Sequence, residues 1–235
     1  MGEYMKENGY KKPFIIAPNY PAGKDMLRGF KRFFGDTVAA EAYTKLGAKD
    51  YAAEIAAIRE ANPDSVFFFL PGGMGIAFVK QYAQSGLDIP LYGPAFSFDQ
   101  GILKAVGKAA LGVINTSQWN KDIDVPANKA FVAAFQKEYG RLPSLYASQG
   151  YDAAKLIASG LKAAGGMDDA DAFRAALRKS DFASTRGNFK FNTNHFPIQD
   201  IFVRKVVEKD GVLTNELVGI ARKAHKDAYA DQCKM

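Results

Sequence analysis

Few residues in this 235-residue chain are of the types that make or break bonds, and none stands in a catalytic spacing. The two histidines are His195, in the loop NTNHFPIQ, and His225, among Lys and Ala near the end. Neither belongs to an H-E-x-x-H pattern, and no C-x-x-C, G-x-S-x-G or G-x-x-x-x-G-K-[ST] occurs. The single cysteine, Cys233, closes no bridge within the chain and builds no metal cluster. It reads as an idle tail residue or as half of a bridge to another chain. Asp168-Asp169 falls at a predicted helix start, where the helix dipole accounts for two carboxylates. The expectation is a protein that is not an enzyme and takes no cofactor or metal.

What remains is a loop of bare backbone. The stretch VFFFLPGGMGIAFV (66–79) runs five apolar residues into Pro71-Gly72-Gly73, and helical spacing begins within three residues. Such a turn either cradles phosphate or lets the backbone approach another small ligand. Gly73-Met74-Gly75 keeps G-x-G, but Phe78 stands where the third glycine belongs. The acidic residue expected after the next strand is also missing, since IPLYGPAF offers Pro94 and Ala95 there. These residues disfavour a nucleotide.

Two other segments share that character: Asn19-Tyr20-Pro21-Ala22-Gly23 and Pro94-Ala95-Phe96-Ser97-Phe98. All three should follow strands, and in an open parallel sheet the carboxyl ends of the strands form the ligand crevice. A lip of backbone, aromatic rings and one or two hydroxyls suits an apolar or aromatic ligand with a few polar anchors. The candidate ligand-binding residues are Tyr20, Ala22, Gly72, Gly73, Phe96 and Ser97, with Phe96 and Phe98 equally explicable as core. A second group, Tyr146, Gln149 and Tyr151, opens a long helix. Tyr151 reads as packing, and Tyr146 and Gln149 as ligand candidates.

The elements that must position these residues alternate regularly from 13 to 115. PFIIAP is a short buried strand, and KDMLRGFKRFF (24–34) places apolar residues at 26, 27, 30, 33 and 34, a helical spacing. TVAAEAYTK, DSVFFFL, IPLYGP and LGVINT read as further strands; helices start at Asp50 and run through GIAFVKQYAQSG and DQGILKAVGKAA. Strands this apolar, alternating with helices, imply a parallel sheet covered on both faces. After Trp119 the pattern changes: 126–140, 144–165 and 168–179 read as helices with no strand between them, so they should cover a sheet not supplied here. RGNFKFNTN and QDIFVRKVVEKDGVLTNELVGI read as β, the latter a hairpin turning at Lys209-Asp210-Gly211, and a short helix is expected at 224–230.

The bulk numbers are permissive. At 48% hydrophobic residues the chain can bury a sizeable core, and no run of 18 or more apolar residues occurs. MGEYMKENGYKK has no apolar stretch behind its charges, so no signal peptide is expected on this chain. The net charge of +6 comes from scattered lysines without a block of five, which reads as a solvated surface and not as a nucleic-acid interface.

FIIAPNYPAGKDMLRGF, VFFFLPGGMGIAFVKQYAQSGL, LYGPAFSFD, SLYASQGYDAAKLI and RGNFKFNTNHFPIQDIFVRKV together resemble the periplasmic solute-binding proteins of ABC importers, branched-chain amino acid and aromatic-compound type. The resemblance implies the type I periplasmic-binding fold, an α/β architecture of two Rossmann-like lobes closing on a ligand, here with an incomplete N-terminal portion. It implies a periplasmic location, delivery to an inner-membrane ABC permease, and either a homodimer or association with a missing N-terminal portion. It maps residues 1–118 to a C-terminal-type α/β lobe, 119–200 to helices of the N-terminal-type lobe, and 201–235 to a return hairpin and terminal helix at the hinge. It aligns Tyr146 with a ligand-contacting aromatic and Gly72 with a contact in the second loop. Two departures bear on the ligand. Amino-acid-binding members carry an aromatic before the glycine where this chain has Ala22, and a glutamate after Gly93-Pro94 where this chain has Ala95. An α-ammonium would lack its partner in this lobe, so an aromatic carboxylate is favoured over an amino acid. A branched-chain amino acid binder and a ligand-sensing regulatory domain on the same fold remain the alternatives.

Overall fold

The structure is a computed structural model that describes residues 1–234. It divides into two compact units: Met1–Ser117 with Val203–Glu216, and Gln118–Phe202 with the residues from Leu217 onward.

In unit 1 the apolar runs become strands β1 (Pro13–Pro18), β2 (Ala40–Thr44), β3 (Ser65–Phe68), β4 (Leu91–Pro94) and β5 (Ile114–Ser117). They pair in parallel in the order β2-β1-β3-β4-β5, and β5 is hydrogen-bonded on its far side to β7 (Pro197–Lys209). Every residue of β1, β3 and β4 is buried, as expected for a sheet covered on both faces. On one face lie α1 (Gly2–Glu7) and α2 (Pro21–Phe34), where Leu27, Phe30 and Phe34 pack with Phe67 and Phe69. On the other lie α3 (Ala52–Ala61), α4 (Gly73–Gln84) and α5 (Gln100–Val106), whose Ile55, Ile58, Phe78, Val79 and Leu103 meet Phe14, Phe68 and Val66. Helix α1 is an addition to the sequence reading. Its two turns are too short for a periodicity signal, and it is held by Met5, which is fully buried against α2 and β1.

Unit 2 holds α6 (Pro126–Tyr139), α7 (Leu145–Ala164), α8 (Ala170–Lys179) and the two-residue strand β6 (Lys190–Phe191), which pairs antiparallel with the start of β7. Strand β8 (Val212–His225) pairs with β7. The helix expected at 224–230 is corrected here: β8 continues to His225, and only a single 3-10 turn follows at Ala230–Gln232. Alternation in ELVGIARKAH also satisfies a strand, and the long partner β7 supplies the hydrogen bonds that decide the matter.

Helix α7 is unusual in what it buries. Ser144 caps it by accepting from the Ala147 N–H at 3.1 Å. Its inner face presents Leu145, Ser148 and Asp152, all at most 1% exposed. Asp152 accepts from Ser184 Oγ at 2.6 Å, the Thr185 N–H at 2.9 Å and Arg186 Nε at 3.1 Å, while Ser148 and Thr185 share a hydroxyl bond. Burial lowers the pKa of Arg186, and Asp152 opposes that shift. The exposed stripe of the same helix carries Tyr146, Gly150, Ala153 and Ile157 at helical spacing. Two polar side chains of this helix thus face inward, while Tyr146 and Ile157 are exposed as Gln149 and Lys155 are.

Candidate ligand-binding site

Strand order places the site. The chain goes from β1 outward to β2 and then returns past β1 to β3, so the connections reverse direction between β1 and β3. At that switch point the loops after the two strands diverge to opposite faces and leave a crevice at their carboxyl ends. The loop after β1 is Asn19-Tyr20 and the first turn of α2; the loop after β3 is Phe69 to Gly72 and the first turn of α4.

Both helices sit hard against the strands that precede them. A Cβ on Gly23 would lie 2.0 Å from the Pro18 carbonyl oxygen, and one on Gly75 would lie 2.3 Å from that of Leu70. In each case the glycine follows that carbonyl by five residues, and only a hydrogen in place of a side chain lets the helix start so close. This close packing belongs to Gly75. Gly72 and Gly73 do something else: nothing lies within 4 Å of a Cβ built on either. Gly72 needs its freedom for a φ of +61°. Gly73 is exposed and opens α4, whose first turn carries no acidic side chain. The N–H groups of that turn therefore present an uncancelled positive end. An open cavity of about 480 Å³ adjoins this loop, with Lys49, Pro71, Gly73 and Met74 among its lining residues.

The aromatic residues gather around Phe69. Tyr20 stacks on it at 6.5 Å between ring centroids, and Phe96 meets it edge-on at 6.0 Å. Tyr20 and Phe96 are half-buried, whereas Phe69 is 6% exposed. Phe69 is thus the floor of the cluster, a part the sequence reading missed; it stood inside a continuous apolar run where no alternation marks one face. Ala22 is exposed in the first turn of α2.

One expectation is corrected, at Ser97, and one open reading is decided, at Phe98. Ser97 is fully buried, and its hydroxyl donates to the Leu70 carbonyl at 2.6 Å, fastening the β4 loop to the β3 loop instead of offering itself to a ligand. Phe98 is core, fully buried and edge-on to Phe68 at 5.5 Å. In unit 2, Tyr146 is 53% exposed in the first turn of α7, with exposed Gln149 one turn further. Tyr151, read as packing, contacts Phe131 at 4.9 Å between centroids. Among the described residues, no group of three or more His, Cys, Asp or Glu is placed to hold a metal, and no helix is long and apolar enough to cross a membrane.

A doubly wound sheet with uncharged, aromatic loops at its switch point, whose last strands continue into a second unit, is the class of α/β architecture in which small ligands bind at the carboxyl ends of the strands. Comparison with known proteins narrows this. A family profile described as "Periplasmic binding protein" matches residues 1–211, and the chain belongs to that family. It is 30% identical over 214 residues to a Leu/Ile/Val-binding protein homologue of Brucella melitensis, covering 87% of this chain and 55% of that protein. Its fold matches a solute-binding protein of an ABC transporter from R. palustris in complex with benzoate, with a TM-score of 0.89 and 35% identity over 100% of this chain and 64% of the other. A second such protein, from Rhodopseudomonas palustris BisB5 in complex with 3,4-dihydroxybenzoic acid, gives 0.86 and 35% over 97% and 64%. The resemblance to the type I periplasmic-binding fold and to ABC solute-binding proteins is therefore borne out. The chain spans little more than half the length of the first relative and under two thirds of the others.

Proposed function

We propose that this chain is the substrate-binding part of an ABC importer and captures an aromatic carboxylate by reversible binding without covalent chemistry. The observation that carries the reading is the charge of the lip. The segments 19–23, 71–74 and 94–98 contain no Asp or Glu, and the first turn of α4 offers N–H groups with no acidic side chain to occupy them. An ammonium entering this lip finds no carboxylate, whereas a carboxylate finds the positive end of a helix. Tyr20 and Phe96, half-exposed over Phe69, suit a flat ring. The benzoate and dihydroxybenzoate complexes of the two similar proteins agree with this choice. In this reading Tyr20, Ala22, Gly72, Gly73 and Phe96 touch the ligand from unit 1, and Tyr146 and Gln149 belong to the other lobe.

The rest of the assembly follows the family. Unit 1 acts as the C-terminal-type lobe, α6 to α8 belong to the N-terminal-type lobe, and β7 and β8 provide the return between them. The protein works in the periplasm, delivers to an inner-membrane permease, and completes its second lobe through an N-terminal portion or a second copy. A thermal-shift panel tests the ligand: benzoate and 4-hydroxybenzoate against leucine and isoleucine. Ligands that bind only the folded state raise the melting temperature by mass action. The expected result is a shift with the aromatic acids alone; a shift with leucine alone would overturn the reading in favour of a branched-chain amino acid binder.

A further inference from the structure

The chain passes between its two units at three places: after Ser117, after Phe202 and after Glu216. A residue next to each passage joins one buried network within unit 1. Arg204, 2% exposed, donates through Nε and Nη2 to Asn115 Oδ1 at 2.9 and 2.6 Å. Asn115, fully buried, donates to Asn215 Oδ1 at 2.8 Å, and Asn215 donates to the Phe98 carbonyl at 2.6 Å. Asp99, which accepts from the Gly101 N–H at 3.1 Å at the start of α5, supplies the negative charge that acts on Arg204. Even so, burial pushes the guanidinium pKa down to about 10.

A buried cation is a costly occupant for a strand that an apolar residue could pack as well. What such a network supplies is a fixed arrangement, because every member must be in place to satisfy the others. Here the members are one residue from each connecting segment, and the last bond ends on Phe98, two residues beyond Phe96 of the candidate lip. Ser97, between them, is already fastened to Leu70. The β4 loop therefore has no slack between its aromatic contact and the three connections.

We infer that Arg204 is a positioning residue: through Asn115 and Asn215 it holds the three connecting segments and the loop carrying Phe96 as one piece, so that displacement of the loop is passed to the connections. What the loop contacts rests on the proposed ligand; the tether itself does not. Both guanidinium bonds converge on Asn115 Oδ1, so an ammonium at this place would replace two bonds with one.

Hydrogen exchange on the ligand-free chain tests it, comparing wild type with Arg204→Met, Arg204→Lys and a core variant, Ile58→Val or Ile58→Ala, whichever matches the fall in melting temperature. The expected result for Arg204→Met is faster exchange, by about fivefold or more, in 96–101, 114–117, 203–206 and 213–216 together, with β1 and β3 unchanged. Arg204→Lys should recover that protection only in part, and the Ile58 variant should not show the pattern. Exchange that rises only beside position 204, or equally in the Ile58 variant, overturns the inference. Should Arg204→Met fail to fold, Asn215→Leu removes both the bond from Asn115 and the bond to Phe98: acceleration at 96–101 together with 114–117 supports the tether, and acceleration confined to the neighbours of position 215 overturns it. A parallel melt with benzoate keeps the two proposals apart, because a missing shift counts against the ligand and leaves the exchange result standing.

Discussion

At the scale of single residues, three glycines in one loop have two separate jobs. Gly75 makes room for a backbone oxygen: its absent Cβ would lie 2.3 Å from Leu70 O and 2.7 Å from Ser97 Oγ, and the carbonyl cannot move without disturbing β3. Gly75→Ala should therefore destabilise unit 1 by roughly 1–3 kcal/mol, the usual cost of overpacking a fixed site. Gly73 has open space and a φ outside the left-handed region, so Gly73→Ala should be neutral or stabilise by up to about 1 kcal/mol. The same Gly73→Ala should weaken benzoate binding if the ligand approaches that backbone. Urea denaturation and calorimetric titration measure the two effects separately; equal destabilisation by both alanines would refute the division of labour. The sequence signalled that bare backbone was needed after VFFFL but not which glycine met what, because G-x-G spacing is the same whether a glycine faces a helix start or a ligand. Ser97 was misplaced for a related reason: a hydroxyl in a loop looks available until the position of the neighbouring carbonyl is known.

At the scale of elements, the parallel sheet was legible because its strands are continuous apolar runs and its helices carry 3.6-residue periodicity, as in Leu27, Phe30 and Phe34 of α2. Unit 2 was less so. The inner face of α7 is polar, so periodicity gave the helix but not which side it buries. Asp152 fixes that side by tying α7 to the segment Ser184–Arg186. Removing the carboxylate leaves Arg186 partly desolvated with only Gln199 Oε1, at 2.9 Å, and the face of Phe189 beside it. Asp152→Ala should cost about 3–5 kcal/mol, the range for breaking one side of a buried ion pair. Asp152→Asn, which keeps an acceptor, should cost less. Chemical denaturation of unit 2 reads both, and a loss below 1 kcal/mol for the alanine would show that α7 is held by its apolar contacts instead.

At the scale of the whole molecule, the apolar stripe of α7 asks what covers it. Tyr146, Gly150, Ala153 and Ile157 lie exposed along one stripe of a helix that buries Ser148 and Asp152 and keeps Gln149, Lys155 and Lys162 outside. Exposed apolar stripes of this kind mark surfaces that pack against something else. The similar proteins are longer: this chain covers 64% of the benzoate-bound one and 55% of the Leu/Ile/Val-binding homologue. If the stripe packs against a further sheet, that sheet lies next to Tyr146 and Gln149 at the start of α7, and a ligand held by one lobe alone makes only part of its contacts. A chimera joining the N-terminal portion of the benzoate-bound relative to this chain should then bind benzoate at least about tenfold more tightly, a difference of roughly 1.4 kcal/mol. It should also protect the amides of α7 from exchange and reduce binding of an apolar dye. Equal affinity for chain and chimera, with α7 no better protected, would mean that unit 1 alone makes the site and that the stripe on α7 serves a different contact.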